Sequence, residues 1–281
     1  MRKFAYLFVG VIFFFTSVFA SEKNLRIVSE KSYYLNKTTS FYLYLPNQYS
    51  KTNKRFPVLY LLHGAYGSYR DWVEKTNVEN LADSYNFIIV MPDGNPFGWY
   101  VDSPIDSTSR YESYIIKELI PFVDSHYRTL RDRKHRGICG LSMGGHGAIS
   151  LAEKHPDLFG SASSLSGLMD ITRYPKRWEI AKRLGKYSQF PERWKANSCY
   201  FLAKRLVGAN VKLLIDVGKS DFSVKINRDF NRELDSLKIP HIYREFPGSH
   251  NWNYWRSHIG EHLEFHNKCF QDRFGYYRKA D

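Results

Sequence analysis

Gly140-Leu141-Ser142-Met143-Gly144 decides the fold of this 281-residue chain. The run follows Arg136-Gly137-Ile138-Cys139 and precedes Gly145-His146-Gly147-Ala148-Ile149-Ser150-Leu151-Ala152. A short apolar strand therefore leads into a helix of small residues, with a serine on the turn between them. That context turns a bare G-x-S-x-G into a nucleophile elbow. Such a turn holds its serine in a sparsely populated backbone conformation, so its neighbours must lack bulk, and Gly140 and Gly144 meet that need. Gly145 lets the helix lie close to the strand. The start of the helix then aims free N–H groups and the positive end of its dipole at the space beside Ser142.

Outward from the elbow, the chain alternates strand and helix. Phe56 to Leu62, Phe87 to Met91, Arg136 to Cys139 and Val211 to Val217 read as nearly continuous apolar strands. That is the pattern of a parallel sheet covered on both faces. Leu25 to Val28, Thr39 to Leu45 and Ile242 to Phe246 add strand-like alternation. Helical patterns fall at Val78 to Tyr85, Tyr111 to Tyr127, Ala148 to His155 and Val224 to Leu237. The expected class is α/β, a mostly parallel central sheet between helical layers. Asp170 to Asn210 is longer than a connection requires and rich in Trp, Arg and Lys. It is expected to fold as helices over the sheet's functional edge, where such insertions carry specificity.

Arg2 and Lys3 precede an apolar run from Phe4 to Phe15, and Val18-Phe19-Ala20 supplies small residues at a cleavage position. Residues 1–20 read as a secretory signal peptide, too short for a comfortable membrane span, and 21–281 as one domain. The expected location is secreted or periplasmic, with no stable membrane insertion after cleavage. The formal charge is +13. Its cations are scattered, thickest between Lys182 and Arg205, and form no nucleic-acid module; they suit solubility and attraction to anionic surfaces or acidic polysaccharide. No spacing suggests a metal site. Of three cysteines, Cys139 reads as a small buried hydrophobe, whereas Cys199 and Cys269 could pair if their geometry allowed it.

A serine needs a base, and the base needs an orienting carboxylate. Among the downstream histidines, His146 is expected to pack against or cap its own helix. His155 lies at a helix end, and His262 and His266 lie at helical spacing near the C-terminus, where exposure is the default. His250 sits in the turn-rich loop Pro247-Gly248-Ser249-His250-Asn251-Trp252, after a strand, and is the candidate base. Asp221 falls at the C-terminal end of the Val211–Val217 strand, the edge at which open parallel sheets bind ligands, and is the candidate acid. Asp216 competes with it, but a mid-strand side chain points into a packed face. A second oxyanion donor is expected from His63-Gly64-Ala65, which gives the backbone amides of Ala65 and Met143. Trp99 and Tyr100, on the loop after the Phe87–Met91 strand, are the candidate walls of a substrate pocket.

With these residues in place, the chain resembles the esterase D-type family of α/β-hydrolases. That family includes S-formylglutathione hydrolases, tributyrin-type esterases, feruloyl and acetylxylan esterases, and mycolyltransferases. The resemblance rests on Leu61-Leu62-His63-Gly64, Met91-Pro92-Asp93-Gly94, Trp99-Tyr100-Val101-Asp102-Ser103-Pro104, the elbow itself, His155-Pro156-Asp157-Leu158-Phe159 and Pro247 to Trp252. It runs from about Thr39 to near Phe265. It implies an α/β-hydrolase fold, a triad of Ser142, Asp221 and His250, oxyanion donors at Ala65 and Met143, and no cofactor. Gly218-Lys219-Ser220-Asp221 departs from the family, which often has threonine and an acidic residue before the aspartate; the aspartate itself is retained.

The expected activity is serine ester hydrolysis on short acyl, acetyl or feruloyl esters, of small molecules or of polysaccharide. Three alternatives stay open. They are acyl transfer to a sugar acceptor, an S-formylglutathione hydrolase-like thioesterase, and a non-catalytic secreted binding protein. An intact Ser142, Asp221 and His250 argue against the last, and a leader argues against the cytosolic thioesterase. The oligomeric state is not legible.

Overall fold

The computed structural model describes residues 24–273. The expected signal peptide lies outside them. Eight strands form one sheet: β1 (Leu25–Ser32), β2 (Lys37–Tyr44), β3 (Val58–Leu62), β4 (Ile88–Pro92), β5 (Arg136–Leu141), β6 (Ser161–Leu165), β7 (Lys212–Gly218) and β8 (Ile242–Phe246). Their order is β1-β2-β4-β3-β5-β6-β7-β8. β2 runs antiparallel to both β1 and β4, and every other pairing is parallel. β5, which carries the elbow, is central, so its turn opens onto the middle of the sheet's C-terminal edge. This is the α/β-hydrolase fold.

Strand alternation separates two cores. Val58, Tyr60 and Leu62 of β3 and Ile88 and Val90 of β4 face the layer that contains the elbow helix, Met143–Lys154. Leu59 and Leu61, with Ile89 and Met91, face the opposite layer. There the C-terminal helix, Trp252–Phe270, contributes Tyr254, Trp255, Ile259 and Leu263. Successive side chains on a strand point to opposite faces, so a strand sealed on both must be apolar throughout. On β7 the same alternation sends Leu213 and Ile215 to the elbow-helix side and Asp216 to the other.

One strand is absent from the sequence reading. β6 reads Ser-Ala-Ser-Ser-Leu, yet all five residues are buried. Its hydroxyls are accepted in the core partly because His266 bridges them: Nδ1 lies 2.7 Å from Ser161 Oγ and Nε2 2.8 Å from Ser163 Oγ. The exposure expected of His262 and His266 is thus corrected. Both are fully buried, because the C-terminal helix lies flat on the sheet.

Asp170 to Asn210 does form helices, at Ile180–Leu184, Pro191–Lys195 and Cys199–Leu202. Ser103 Oγ donates to the Arg183 carbonyl at 2.7 Å, and Arg183 pairs with Asp106 at 2.9 Å, which ties the insertion to the loop after β4. His146 is buried and donates from Nε2 to the Asn197 carbonyl at 2.7 Å, so it caps the insertion rather than its own helix. Burial lowers its pKa to about 4. Cys199 and Cys269 are both free thiols. Cys199 belongs to the core on the elbow-helix side and Cys269 to the C-terminal helix across the sheet, so no bridge joins them.

Candidate active site

Ser142 adopts φ 53° and ψ −116° and directly precedes the elbow helix. Such a conformation in a non-glycine residue persists only where its surroundings impose it. They do so by close packing. A Cβ on Gly144 would lie 2.5 Å from the carbonyl oxygens of Leu62 and His63, and one on Gly140 would lie 2.4 Å from the Gly144 carbonyl oxygen. These glycines serve close approach rather than an unusual φ.

The three residues expected to act together do meet. Ser142 Oγ lies 2.8 Å from His250 Nε2. His250 Nδ1 lies 2.9 Å and 3.0 Å from the two Asp221 oxygens. Asp221 Oδ1 also accepts from the Ser223 amide at 2.8 Å and the Ser223 hydroxyl at 2.7 Å. Burial pushes the Asp221 carboxyl up, but these bonds outweigh it and hold the pKa below the ordinary value. An ionised, acceptor-only carboxylate fixes the His250 proton on Nδ1 and leaves Nε2 free toward the serine. The loop carrying His250 is held against the end of β7: the Lys219 amide donates to the Phe246 carbonyl and the Ser220 amide to that of Gly248. Asp216, the rejected alternative, instead bonds His262 at 2.9 Å.

The loop after β3 is braced from behind. His63 is buried; its Nε2 accepts from the Gly94 amide at 2.8 Å and its Nδ1 bonds the Gly64 carbonyl at 2.8 Å. Tyr66 and Gly67 spend their amides on the carbonyls of Pro96 and Gly64, and Ser142 spends its own on Leu165. Among the described residues, the amides of Ala65 and Met143 donate to no backbone carbonyl. Ala65 lines the cavity with Ser142, and Met143 begins the elbow helix.

The cavity at Ser142 has a volume of about 380 Å³. Its aromatic lining is Tyr66, Trp178, Phe222, Trp252 and Trp255. Trp99 and Tyr100 are not part of it, and this corrects their expected role as pocket walls. Both are fully buried, because their loop turns down into the core, each at positive φ. Tyr100 donates to the His63 carbonyl at 3.1 Å, and Trp99 Nε1 donates to the Trp178 carbonyl at 2.9 Å. They support the residues that form the walls. Phe222 packs on Trp178, with ring centroids 5.7 Å apart, and on His250, at 4.4 Å. Trp255 meets His250 edge-on at 5.0 Å. Position alone could have flagged Phe222, which follows Asp221. Nothing in the sequence separates Trp178 from the other tryptophans of its segment.

The chain matches the "Putative esterase" family over residues 32–266. It is 28% identical over 255 residues to an acetyl esterase of Caldicellulosiruptor saccharolyticus, covering 83% of this chain and 94% of that one. It is 26% identical over 268 residues to the S-formylglutathione hydrolase of Bos taurus, covering 86% and 93%. Among solved structures, a ferulic acid esterase superposes with a TM-score of 0.77 at 29% identity, covering 88% of this chain and 98% of the other. The protein belongs to this esterase family and is a carboxylic ester hydrolase.

Proposed function

We propose that Ser142, His250 and Asp221 hydrolyse esters through an acyl-enzyme, in a protein exported behind its basic-then-apolar leader. The observation that carries this reading is the unbroken hydrogen-bonded line from Ser142 Oγ through His250 to Asp221, with the serine on the wall of a cavity. As Oγ bonds to the ester carbonyl carbon, its proton passes to His250 Nε2. The carbonyl oxygen becomes an oxyanion held by the Ala65 and Met143 amides. The C–O bond then breaks, and His250 returns the proton to the departing alcohol. Water repeats the sequence against the acyl-enzyme and releases the acid.

The cavity volume sits at the low end for small-molecule sites. It accommodates one short acyl chain or one aromatic ring against Trp178 and Phe222, with the alcohol portion, a sugar or polysaccharide included, left outside. Acetyl and feruloyl groups, the acyl groups named by two of the relatives, both meet that limit. A panel of p-nitrophenyl acyl esters, feruloyl esters and acetylated xylan, with Ser142→Ala as control, tests the reading. Turnover of acetyl or feruloyl esters that vanishes in the variant supports it. Native turnover in Ser142→Ala, or a preference for acyl chains too long for the cavity, overturns it.

A further inference from the structure

Beneath the site lies a second Asp–His pair with no part in the proton transfers above. His262 is fully buried, with Nε2 2.9 Å from Asp216 Oδ2 and Nδ1 3.9 Å from Cys139 Sγ. Asp216 Oδ1 makes no hydrogen bond among the described residues and the Tyr254 hydroxyl faces the same carboxylate, so His262 supplies the one directed hydrogen bond that Asp216 accepts there. The three side chains come from β7, β5 and the C-terminal helix. Asp216 lies five residues before Asp221, Cys139 three before Ser142, and the helix begins two residues after His250. One imidazole therefore touches every element that carries a member of the Ser142–His250–Asp221 line.

A buried ion pair is a poor device for stability alone. Removing two charges from water costs so much that apolar residues of similar volume often serve as well or better. What such a pair adds is direction: N–H···O geometry fixes rotation and register, whereas apolar contact tolerates sliding. The lever is also long. From the first turn of the helix to His262 is about 15 Å, so a tilt of about 4° at His262 displaces the helix start by about 1 Å. Displacements of that size, made far from the chemistry, can cost on the order of 100-fold in rate.

We propose that His262, through Asp216 and Cys139, is a positioning residue that sets the C-terminal helix against β5 and β7 and so holds His250 in line with Ser142. The inference rests on the triad reading above. Burial opposes a charge on His262, yet Asp216 raises its pKa to about 10, and the bond is therefore a charged one at neutral pH. His266, one turn further on, is pushed the other way by burial and by the His262 charge; it stays neutral between its two serines.

The test compares Asp216→Asn, which keeps an acceptor for His262 Nε2–H, with the double variant Asp216→Leu/His262→Leu, which fills the space and removes the directed bond. Asp216→Asn should keep kcat within a few-fold. The double variant should unfold at a temperature close to the native one and lose on the order of 10- to 100-fold in kcat with KM little changed. It should also lose or broaden the downfield proton resonance of the His250–Asp221 bond, a signal that a merely space-filling pair would leave alone. Native kcat and an unmoved resonance in the double variant overturn the proposal. Should that chain fail to fold, His262→Gln reads the same quantities, with a smaller loss expected and native values again decisive against it. Failure of the triad reading is separate: it shows as turnover in Ser142→Ala, whatever the Asp216 variants do.

Discussion

Asp221–His250 and Asp216–His262 join the same two parts of the chain, β7 and the C-terminal segment, and each closes at 2.9 Å. They differ in what surrounds them. The His250 side chain is 17% exposed and its second nitrogen meets a serine hydroxyl on a cavity wall. That of His262 is 0% exposed, and its second nitrogen meets a thiol in the core. Asp221 sits past the end of its strand, where Ser223 adds two donors; Asp216 sits within the strand, where His262 is its hydrogen-bond donor and the Tyr254 hydroxyl faces it. On the roles proposed above, identical residue types at one distance serve proton transfer in one place and act as a strut in the other. Position relative to the strand end and access to a substrate separate them, not the pair itself.

The sharpest way to break this comparison is to disable each pair in turn. Ser142→Ala should abolish ester hydrolysis, and Asp221→Asn should cost on the order of 10⁴ in kcat through the wrong histidine tautomer, with folding retained. Asp216→Asn at native turnover completes the contrast. If Asp216→Asn proved as damaging as Asp221→Asn in a folded protein, the two roles would have to be exchanged.

Stability should reverse the ranking. Asp216→Ala leaves His262 buried without its counter-charge and should cost about 3–5 kcal/mol in urea unfolding. Ser142→Ala removes a hydroxyl beside a cavity and should change stability by less than about 1 kcal/mol. Comparable losses in the two would mean that the buried pair is no more structural than the site.

A smaller effect appears with pH. The His262 pKa is raised in the fold, so its contribution is fully present below the unfolded value of about 6.5 and fades as pH rises through about 10. The groups facing the pair are Cys139 from β5, and His266 and Tyr254 from the helix itself. Between pH 7 and 10 the native protein should therefore lose more unfolding free energy than Asp216→Asn, in which the anchoring charge is gone. Parallel curves for the two proteins would contradict a charged His262.

Much of this is legible in the sequence, and the parts that are not share a cause. The elbow, the parallel strands and the choice of Asp221 over Asp216 follow from local rules: turn chemistry, alternation and position at a strand end. β6 escaped because Ser161, Ser163 and Ser164 carry none of the apolar signal of a buried strand; Ser161 and Ser163 are matched by His266, more than a hundred residues away. His262 and His266 escaped for the mirror reason, since a polar residue on a helix reads as exposed until its distant partner is known. The sequence puts Trp99 and Tyr100 on the right loop but does not set the direction in which they point, because it gives the edge a loop leaves from and not the way it turns.

That turn sets the last and smallest prediction. Trp178 stands on the cavity wall, while Trp99 lies behind it and holds its carbonyl through Nε1. Trp178 also sits at φ 48°, beside Glu179 at 54°, so its backbone is held where a non-glycine residue does not rest unaided. If Trp178 and Phe222 form the face against which an acyl group lies, Trp178→Ala removes an aromatic contact worth about 0.5–1.5 kcal/mol. KM for a feruloyl ester should then rise by roughly 2- to 12-fold, with acetyl esters much less affected. Trp99→Phe deletes the N–H and part of a fully buried indole while keeping an aromatic ring there, so it should shift the same preference in the same direction by less. The pair of variants decides whether specificity is held on the surface or one residue beneath it. A Trp99→Phe change larger than that of Trp178→Ala would make the buried tryptophan the determinant. Unchanged feruloyl-to-acetyl ratios in both would move the acyl subsite to the Trp252 and Trp255 side of the cavity.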